Sequence, residues 1–272
     1  MLTAEQKAHF ETFGFLVQKQ LFSVAETEKL AGEYEEIMGE DRGGRPFKGE
    51  RQSVQPFVEG RSRLMELAED DRVYQTAEDL LGPGFAWVGS DGNYYVGDTP
   101  WHADGLQDHV SRDLKGWHYP VMKVAFYLDP VAKATGCLRV IPGSHKSAFA
   151  DRLEPLSSRD PDPAYLPFGV SPTEIPALPL ETEPGDVVFF DSDLHHGSFG
   201  GIGRRMFAIS LVPRPSSNEQ VAFLRRAHAA TKRALRPHVA LVNSESPRLR
   251  GMVEPLLELG FETQNAGPRT SS

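Results

Sequence analysis

The chain has 272 residues, of which 39% are hydrophobic and 25% charged, a composition typical of folded globular proteins. Its formal net charge of −9 argues against nucleic acid as a partner, because phosphate binding needs a basic surface. No apolar run is long enough to span a bilayer, the N-terminus lacks a signal-peptide pattern, and the single cysteine, Cys137, excludes an internal disulfide. These features predict a cytoplasmic protein, either a monomer or a homodimer.

The first 85 residues predict helices around one short strand. Thr3 with Gln6, and Ser23 with Glu26, form capping-box patterns that mark helix starts. We expect the second helix to cover residues 23–38 and a further short helix to lie near 73–81. Between the first two helices, residues 14–17 predict a strand, whereas the glycine-rich stretch 39–49 predicts a loop.

From residue 85 to 213 the pattern changes to β structure. Aromatic and β-branched runs alternate with glycine and proline, without helical periodicity between them, which favours an antiparallel sandwich or barrel. The predicted strands cover residues 85–96, 121–128, 137–141, 187–190 and 205–212. The stretch 150–184 carries eight prolines and predicts a long loop.

The C-terminal part returns to helices. Ser217 with Gln220 marks the start of one helix, and Ser246, Pro247 and Gly260 bracket a last helix that Pro255 should bend. No internal repeat or linker appears, so the sequence predicts a single domain over residues 1–272.

His102 and Asp104 are the first candidate site residues. In an extended chain, residues i and i+2 point to the same side, so an imidazole and a carboxylate can converge on one metal ion. A His-x-Asp triplet alone is a weak signal, because most such pairs are surface residues or hydrogen-bonded partners.

A second candidate segment ends in a histidine pair. A Pro-Gly-Asp turn at 184–186 leads into the apolar run 187–190, which is followed by His195 and His196. One of these histidines, placed beside His102 and Asp104, would complete a set of two histidines and one carboxylate. This ligand set leaves open positions and suits non-haem iron(II) oxygenases.

Two adjacent arginines begin the last predicted strand of the β region. Alternation allows only one of Arg204 and Arg205 to face a barrel interior. An interior guanidinium can grip a carboxylate in a bidentate manner, which suits the distal carboxylate of a 2-oxoacid.

Taken in order, these segments resemble the phytanoyl-CoA dioxygenase family of iron(II)- and 2-oxoglutarate-dependent oxygenases. The resemblance covers roughly residues 10–213 and rests on His102-x-Asp104, the segment 136–146, Pro184-Gly185-Asp186, His196-Gly197-Ser198 and Arg205. It implies a mainly β fold with flanking helices, in which a double-stranded β-helix (jelly roll) occupies about residues 85–213.

The resemblance also implies roles for particular residues. The iron ligands fall on His102, Asp104 and His196, since the His-Gly-Ser signature selects His196 over His195. Arg205 matches the arginine that binds 2-oxoglutarate, although the short spacing from His196 leaves Arg204 as an alternative.

Further contacts are expected from residues of suitable type. The candidates for 2-oxoglutarate binding are Asn93, Tyr95 and Lys123. His145, in a Pro-Gly-Ser-His turn, is expected to support a loop and not to bind metal.

The implied activity is that of a dioxygenase that uses Fe(II), 2-oxoglutarate and O2 and releases succinate and CO2. The carboxylate of Asp104 favours hydroxylation, because related halogenating oxygenases have a small residue there. We expect a small metabolite or a natural-product intermediate as substrate, contacted by Gln107, Trp117 and Arg139. The loop 105–120 is the expected lid, with the proline-rich stretch near 151–172 as second choice.

Two alternatives remain at this point. A cupin-type metal oxygenase or isomerase would share the jelly roll without 2-oxoglutarate, and would usually add a third histidine or a glutamate. A non-catalytic jelly-roll binding protein would keep the histidines without taking up iron.

Overall fold

The computed structural model describes residues 1–106, 119–157, 166–231 and 235–264. Its N-terminal helices start where the sequence predicts. Helix α1 (Ala4–Phe13) and helix α2 (Val24–Asp41) both have complete capping boxes, formed by Thr3 with Gln6 and by Ser23 with Glu26. Because these caps satisfy backbone N–H groups that have no partner within the helix, they fix both starting points.

Two further helices precede the sheet. Helix α4 (Asp71–Leu81) matches the prediction and ends at Gly82 with a φ of 84°. Helix α3 (Ser62–Glu69) was not predicted, and its N-cap residue, Arg61, makes no side-chain capping hydrogen bond. Without a capping signal, only its buried side chains, which include Leu64 and Leu67, mark it as a helix.

The strands of the described residues form one antiparallel sheet that curves into a nearly closed barrel. They are β1 (Phe15–Gln18), β2 (Gln52–Val54), β3 (Ala86–His102), β4 (Met122–Tyr127), β5 (Leu138–Val140), β6 (Leu178–Leu180), β7 (Val187–Asp191) and β8 (His196–Val212). The order is β1-β7-β4-β8-β3-β2, and β5 pairs with both β6 and β8. The predicted fold class, a mainly β jelly roll with flanking helices, is confirmed.

Strands β3 and β8 form a long ribbon that belongs to both halves of the barrel. They pair from Ala86 opposite Val212 to His102 opposite His196, with several irregularities in register. Such bulges let a ribbon bend, and here they bring its far end round to β5. Strand β8 is therefore much longer than predicted, because it continues through the glycine-rich stretch 200–203.

The two faces of the ribbon meet different surroundings. Phe207 and Ile209 pack against the helical layer, whereas Met206 and Ala208 belong to the cluster that fills the barrel interior. Strict alternation along β8 produces this division. It also decides which polar side chains of β3, β4 and β8 reach the interior.

Short helices complete the structure after β5 and β8. They are α5 (Ser147–Leu153), α6 (Asn218–Ala230), α7 (Val239–Val242), α8 (Pro247–Gly251) and α9 (Glu254–Glu258). The predicted last helix is thus split in two, and Pro255 lies in the first turn of α9. In the described ranges, no helix has the length and apolarity needed to cross a membrane.

Candidate active site

Two histidines and one aspartate converge at the end of the long ribbon. His102 is the last residue of β3 and lies directly opposite His196, the first residue of β8. Asp104 Oδ1 lies 3.5 Å from His102 Nε2, and its Oδ2 lies 3.6 Å from His196 Nε2. One potential ligand atom from each residue lies within 4.8 Å of the others, which is close enough for all three to share an ion.

The backbone orients all three side chains. His102 Nδ1 lies 2.7 Å from the carbonyl oxygen of Pro100, and His196 Nδ1 lies 2.6 Å from that of Leu194. In this arrangement Nδ1 donates to a carbonyl and Nε2 keeps its lone pair for a metal, the usual support of a metal-binding histidine. The Asp104 N–H donates to the Ser192 carbonyl at 2.7 Å, which fixes the loop after β3.

His195 does not take part in this cluster. Burial lowers the pKa of His195 to about 4, so its imidazole is neutral at physiological pH. Since successive residues of a strand point to opposite faces, only one histidine of the pair can face Asp104. That histidine is His196, as expected.

The Asp104 carboxylate is held in its ionised form. Burial tends to raise its pKa, but Lys123 Nζ at 2.6 Å and both histidines outweigh burial, and its pKa lies well below the usual value. Burial lowers the pKa of His196 and so favours the neutral imidazole. Burial also acts to lower the pKa of His102, but the hydrogen bond and charge of Asp104 outweigh it and raise that pKa. An ionised carboxylate and neutral imidazoles are the forms that bind a divalent first-row metal.

Three residues predicted to contact 2-oxoglutarate, Asn93, Tyr95 and Lys123, also face the barrel interior. Lys123 pairs with Asp104, and Asn93 Nδ2 donates to Asp91 at 2.5 Å. Asp91 was not predicted, although it shares the face of Asn93 and Tyr95 on β3 and alternation alone indicates it.

The two arginines of β8 lie on the opposite sides of the barrel wall from those expected. Arg205 lies outside the barrel, where its guanidinium pairs with Asp129 at 2.6 Å and with Glu35 of α2 at 3.0 Å. The prediction that Arg205 enters the barrel beside the triad is therefore wrong. The physical reason is register, because Arg205 lies opposite Tyr94, which packs against the helical layer.

Arg204 occupies the interior position. Its side chain is 5% exposed and its guanidinium lies over the ring of Tyr95 at 4.6 Å. Its Nε and Nη1 are buried without a hydrogen-bond partner. Arg204 lines a small inner recess together with His102, Asp104 and His196. A buried guanidinium with free donors is costly unless a ligand supplies an acceptor.

A wider cavity of about 360 Å³ opens next to this recess. Both spaces are bordered by His102, Asp104, Lys123, Asp91 and Tyr95, so they meet at the triad. The outer part of the cavity reaches Glu59 on the segment after β2, and also Thr231 and Arg236.

The residues predicted to contact substrate are only partly described. Arg139 lies outside the barrel, because its neighbours Leu138 and Val140 fill the interior. Its guanidinium donates to the carbonyl oxygens of Thr173 and Lys133, so its predicted role in substrate binding is wrong. Gln107 and Trp117, with most of the predicted lid, lie outside the described residues.

His145 keeps the supporting role that was predicted. Its Nε2 lies 3.3 Å from the carbonyl oxygen of Glu11, and it does not belong to the candidate metal cluster. It thereby connects the turn after β5 to helix α1.

Fold and site together define a class of protein: a jelly-roll oxygenase with a metal site of two histidines and one carboxylate. A model of the phytanoyl-CoA dioxygenase family (PhyH) matches residues 10–206. The chain belongs to the phytanoyl-CoA dioxygenase family, which makes it an iron- and 2-oxoglutarate-dependent dioxygenase.

Similar sequences come from distant organisms. A probable phytanoyl-CoA dioxygenase of Caenorhabditis elegans is 23% identical over 222 residues, which cover 73% of this chain and 70% of that protein. Ectoine dioxygenase of Sphingopyxis alaskensis is 27% identical over 231 residues, covering 74% and 72%. The peroxisomal phytanoyl-CoA dioxygenase of Mus musculus is 24% identical over 221 residues, and the match spans 64% of its length.

Solved structures share the fold. HygX from Streptomyces hygroscopicus with nickel and 2-oxoglutarate bound superposes with a TM-score of 0.59 at 23% identity, covering 78% of this chain and 88% of HygX. EctD from S. alaskensis with 2-oxoglutarate and 5-hydroxyectoine also gives 0.59, at 22% identity, covering 78% and 77%.

Proposed function

We propose that the chain hydroxylates a C–H bond of a small polar metabolite or natural-product intermediate, with His102, Asp104 and His196 as iron ligands and Arg204 as the anchor of 2-oxoglutarate. The observation that carries this proposal is the buried guanidinium of Arg204, which faces the recess of the triad with two nitrogens unpaired. A dicarboxylate that reaches from the metal to Arg204 would satisfy those nitrogens.

Charge balance supports this assignment. Iron(II), one aspartate and a doubly ionised 2-oxoglutarate sum to a net negative charge, and the interior cations Arg204 and Lys123 offset it. Arg205 is already neutralised by Asp129 and Glu35, so it has no charge left to offer a ligand.

The remaining interior residues complete the proposed co-substrate site. Tyr95 lies under the Arg204 guanidinium and holds it in place by a cation–π contact. Lys123 keeps the Asp104 carboxylate ionised and fixes its Oδ2 atom. Asn93 fixes Asp91 on the wall shared with the outer cavity.

When bound, iron(II) with 2-oxoglutarate and O2 supplies the oxidant for a substrate C–H bond and yields succinate and CO2. The chain's own residues position the ligands and keep solvent from the inner recess. Asp104 occupies the third ligand position with a carboxylate, which favours hydroxylation over halogenation.

The relatives support the same reaction class. The named activities of the curated relatives are those of dioxygenases, and the structures of HygX and EctD were solved with 2-oxoglutarate. The single domain over residues 1–272, the cytoplasmic location and the monomeric or dimeric state stay predictions.

The alternatives have less support. A cupin-type enzyme without 2-oxoglutarate usually has a further histidine or a glutamate at the metal, and among the described residues only His102, Asp104 and His196 form the cluster. It would also leave Arg204 without a ligand. A non-catalytic binding protein has no need for two histidines whose Nδ1 atoms are both oriented by backbone carbonyls.

Succinate formation tests the proposal. Purified protein with Fe(II), 2-oxoglutarate and O2 should form succinate, faster in the presence of a substrate, and His196→Ala should abolish it. Asp104→Gly should also lose hydroxylation. Wild-type protein that forms no succinate with any member of a metabolite panel would contradict the proposed function.

A further inference from the structure

Glu59 is an acidic side chain of the cavity to which the proposed reaction gives no role. It lies on the segment between β2 and α3 and lines the outer part of the active-site cavity. Its carboxylate accepts a hydrogen bond from Trp87 Nε1 at 2.7 Å and a second one from Ser90 Oγ.

Ser90 is itself fixed by the backbone. Its Oγ accepts hydrogen bonds from the N–H groups of Phe57 at 2.9 Å and Val58 at 2.8 Å. Both lone pairs of the hydroxyl are therefore used, and its proton points to Glu59. The carboxylate is held in one orientation by groups that cannot easily turn away.

Within the described ranges, no ion pair includes Glu59, and burial raises the pKa of its carboxyl group. Three basic residues line the same cavity, and each has other partners. Lys123 pairs with Asp104 and Arg236 with Glu262, whereas Arg51 donates to the carbonyl oxygen of Asp98 and to Thr99 Oγ1.

The free directions of the carboxylate point to a particular kind of ligand. The carboxylate already accepts hydrogen bonds from Trp87 and Ser90, and the backbone N–H groups of Val58 and Glu59 also face it, so only part of its acceptor capacity remains for a ligand. A protonated amine, with its donors on one nitrogen, can use these directions and supply the missing charge. Buried carboxylates are generally paired with a cation, which favours an ammonium group over a neutral one.

The rest of the cavity agrees with a compact polar molecule. Its volume of about 360 Å³ lies at the lower end of the usual range for small-molecule sites. Gln55, Asn93, Thr99, Ser210 and Thr231 add hydrogen-bonding groups to the described lining. A polar molecule can use the remaining hydrogen-bonding capacity of this lining, whereas a long hydrocarbon chain cannot.

We propose that the substrate is a small amine, whose ammonium group binds Glu59 at the outer end of the cavity while the carbon to be oxidised lies at the triad. This assignment rests on the proposed function, since the triad must be the reacting end. Glu59 is then a specificity-determining residue, and fatty acyl thioesters are excluded as substrates.

Calorimetry on the anaerobic complex with Fe(II) and 2-oxoglutarate tests this proposal. The probes are a panel of small diamines, amino alcohols and amino sugars, each measured beside its N-acetylated counterpart. We expect saturable binding of amines, with at least tenfold weaker binding of the acetylated partners. Glu59→Gln should remove this preference, whereas Glu40→Gln, an exposed acid of α2, should keep it.

Two results would overturn the proposal: no amine binds more tightly than its acetylated counterpart, or the preference survives in Glu59→Gln. If Glu59→Gln does not fold, the comparison of amines with their acetylated counterparts on the wild-type protein still tests the proposal. The 2-oxoglutarate affinity of the same wild-type sample separates the two hypotheses. Loss of that affinity contradicts the proposed function, whereas intact affinity without an amine preference contradicts only the role of Glu59.

Discussion

Arg204 and Arg205 are neighbours in sequence but lie in opposite environments. One projects into the inner recess with unpaired nitrogens, and the other forms ion pairs with Asp129 and Glu35 on the outer face. Because both are arginines on one strand, they form a matched pair for mutagenesis. A difference in 2-oxoglutarate affinity between their alanine variants therefore reports on the orientation of the side chain and not on its chemistry.

Arg204→Ala should weaken 2-oxoglutarate binding by about 2–5 kcal/mol, the usual cost of leaving one partner of a buried charge pair unpaired. The measurement is the dissociation constant of 2-oxoglutarate for the Fe(II)-loaded protein. Arg205→Ala is the control, and should lower the free energy of unfolding by about 1 kcal/mol while leaving 2-oxoglutarate affinity unchanged. The opposite pattern would show that Arg205, and not Arg204, binds 2-oxoglutarate.

The choice between these arginines was already encoded in β8. Phe207 and Ile209 are large and apolar, whereas Ala208 and Ser210 are small. Large residues pack against the helical layer, and small ones leave room for a cavity. Arg204 falls on the face of Ala208 and Ser210, so alternation indicates it more reliably than the family match that selected Arg205.

At the scale of elements, the turn at Pro184-Gly185-Asp186 comes directly before β7 and binds the residues that follow β1. The buried Asp186 carboxylate accepts hydrogen bonds from the N–H groups of Gln20 and Glu183 and from Lys19 Nζ. Burial tends to raise the pKa of Asp186, but these hydrogen bonds outweigh it and lower the pKa below the model-compound value of 3.8. The ionised form therefore stabilises the folded state.

Asp186→Asn should lower the free energy of unfolding by about 1.5–3 kcal/mol at pH 7, the range for hydrogen bonds to charged groups. A lowered folded-state pKa means that this contribution is present above the unfolded-state pKa and is lost as pH falls through the folded-state pKa. The difference between wild type and variant should thus shrink below about pH 5. Urea unfolding across that pH range measures it.

Asp151→Asn is the control for this experiment, because Asp151 is an exposed residue of α5. It should change stability little at any pH. A difference between wild type and Asp186→Asn that stays constant down to pH 3 would show that Asp186 stabilises the turn by its shape and not by its charge.

Some helices and strands could be predicted from residues near them in the sequence, and others could not. The capping boxes of Thr3 and Ser23 give α1 and α2 correctly, since capping depends on neighbouring residues. Helix α3 has no side-chain cap, and β8 runs through a glycine-rich stretch that normally indicates a turn. Both form because of packing and pairing with distant segments, which no short window of sequence reveals.

The site shows the same division. His102, Asp104 and His196 were found from sequence because their spacing and order are family features. Glu59 was missed, since it comes from outside the predicted jelly roll and only the fold brings it to the cavity. Long-range contacts of this kind depend on the packing of the helical layer against β3.

At the scale of the whole molecule, the candidate metal site lies at one end of the long ribbon, where β3 ends and β8 begins. His102 closes β3 and His196 opens β8, so an ion bound between them would tie the strand ends together. A ligand that binds only the folded state raises its stability by mass action, by about 2.7 kcal/mol at a hundredfold excess over Kd.

Added Co(II) or Ni(II), which resist oxidation better than Fe(II), should therefore raise the Tm of the wild-type protein by about 5 °C or more. His196→Ala should lose this response. His228→Ala, which removes a histidine stacked on Phe261, should keep it even if its own Tm is lower. Equal metal responses of the two variants would argue for binding elsewhere.

Anaerobic titration of the Fe(II)-loaded protein with 2-oxoglutarate tests the central claim most directly. Chelation of 2-oxoglutarate to iron produces a weak visible charge-transfer band, so the wild-type protein should develop this band in a saturable manner. His102→Ala and His196→Ala should not develop it, and Arg204→Ala should need a much higher concentration of 2-oxoglutarate. A wild-type protein without the band, or a band of equal intensity and midpoint in all three variants, would contradict the assignment of this site.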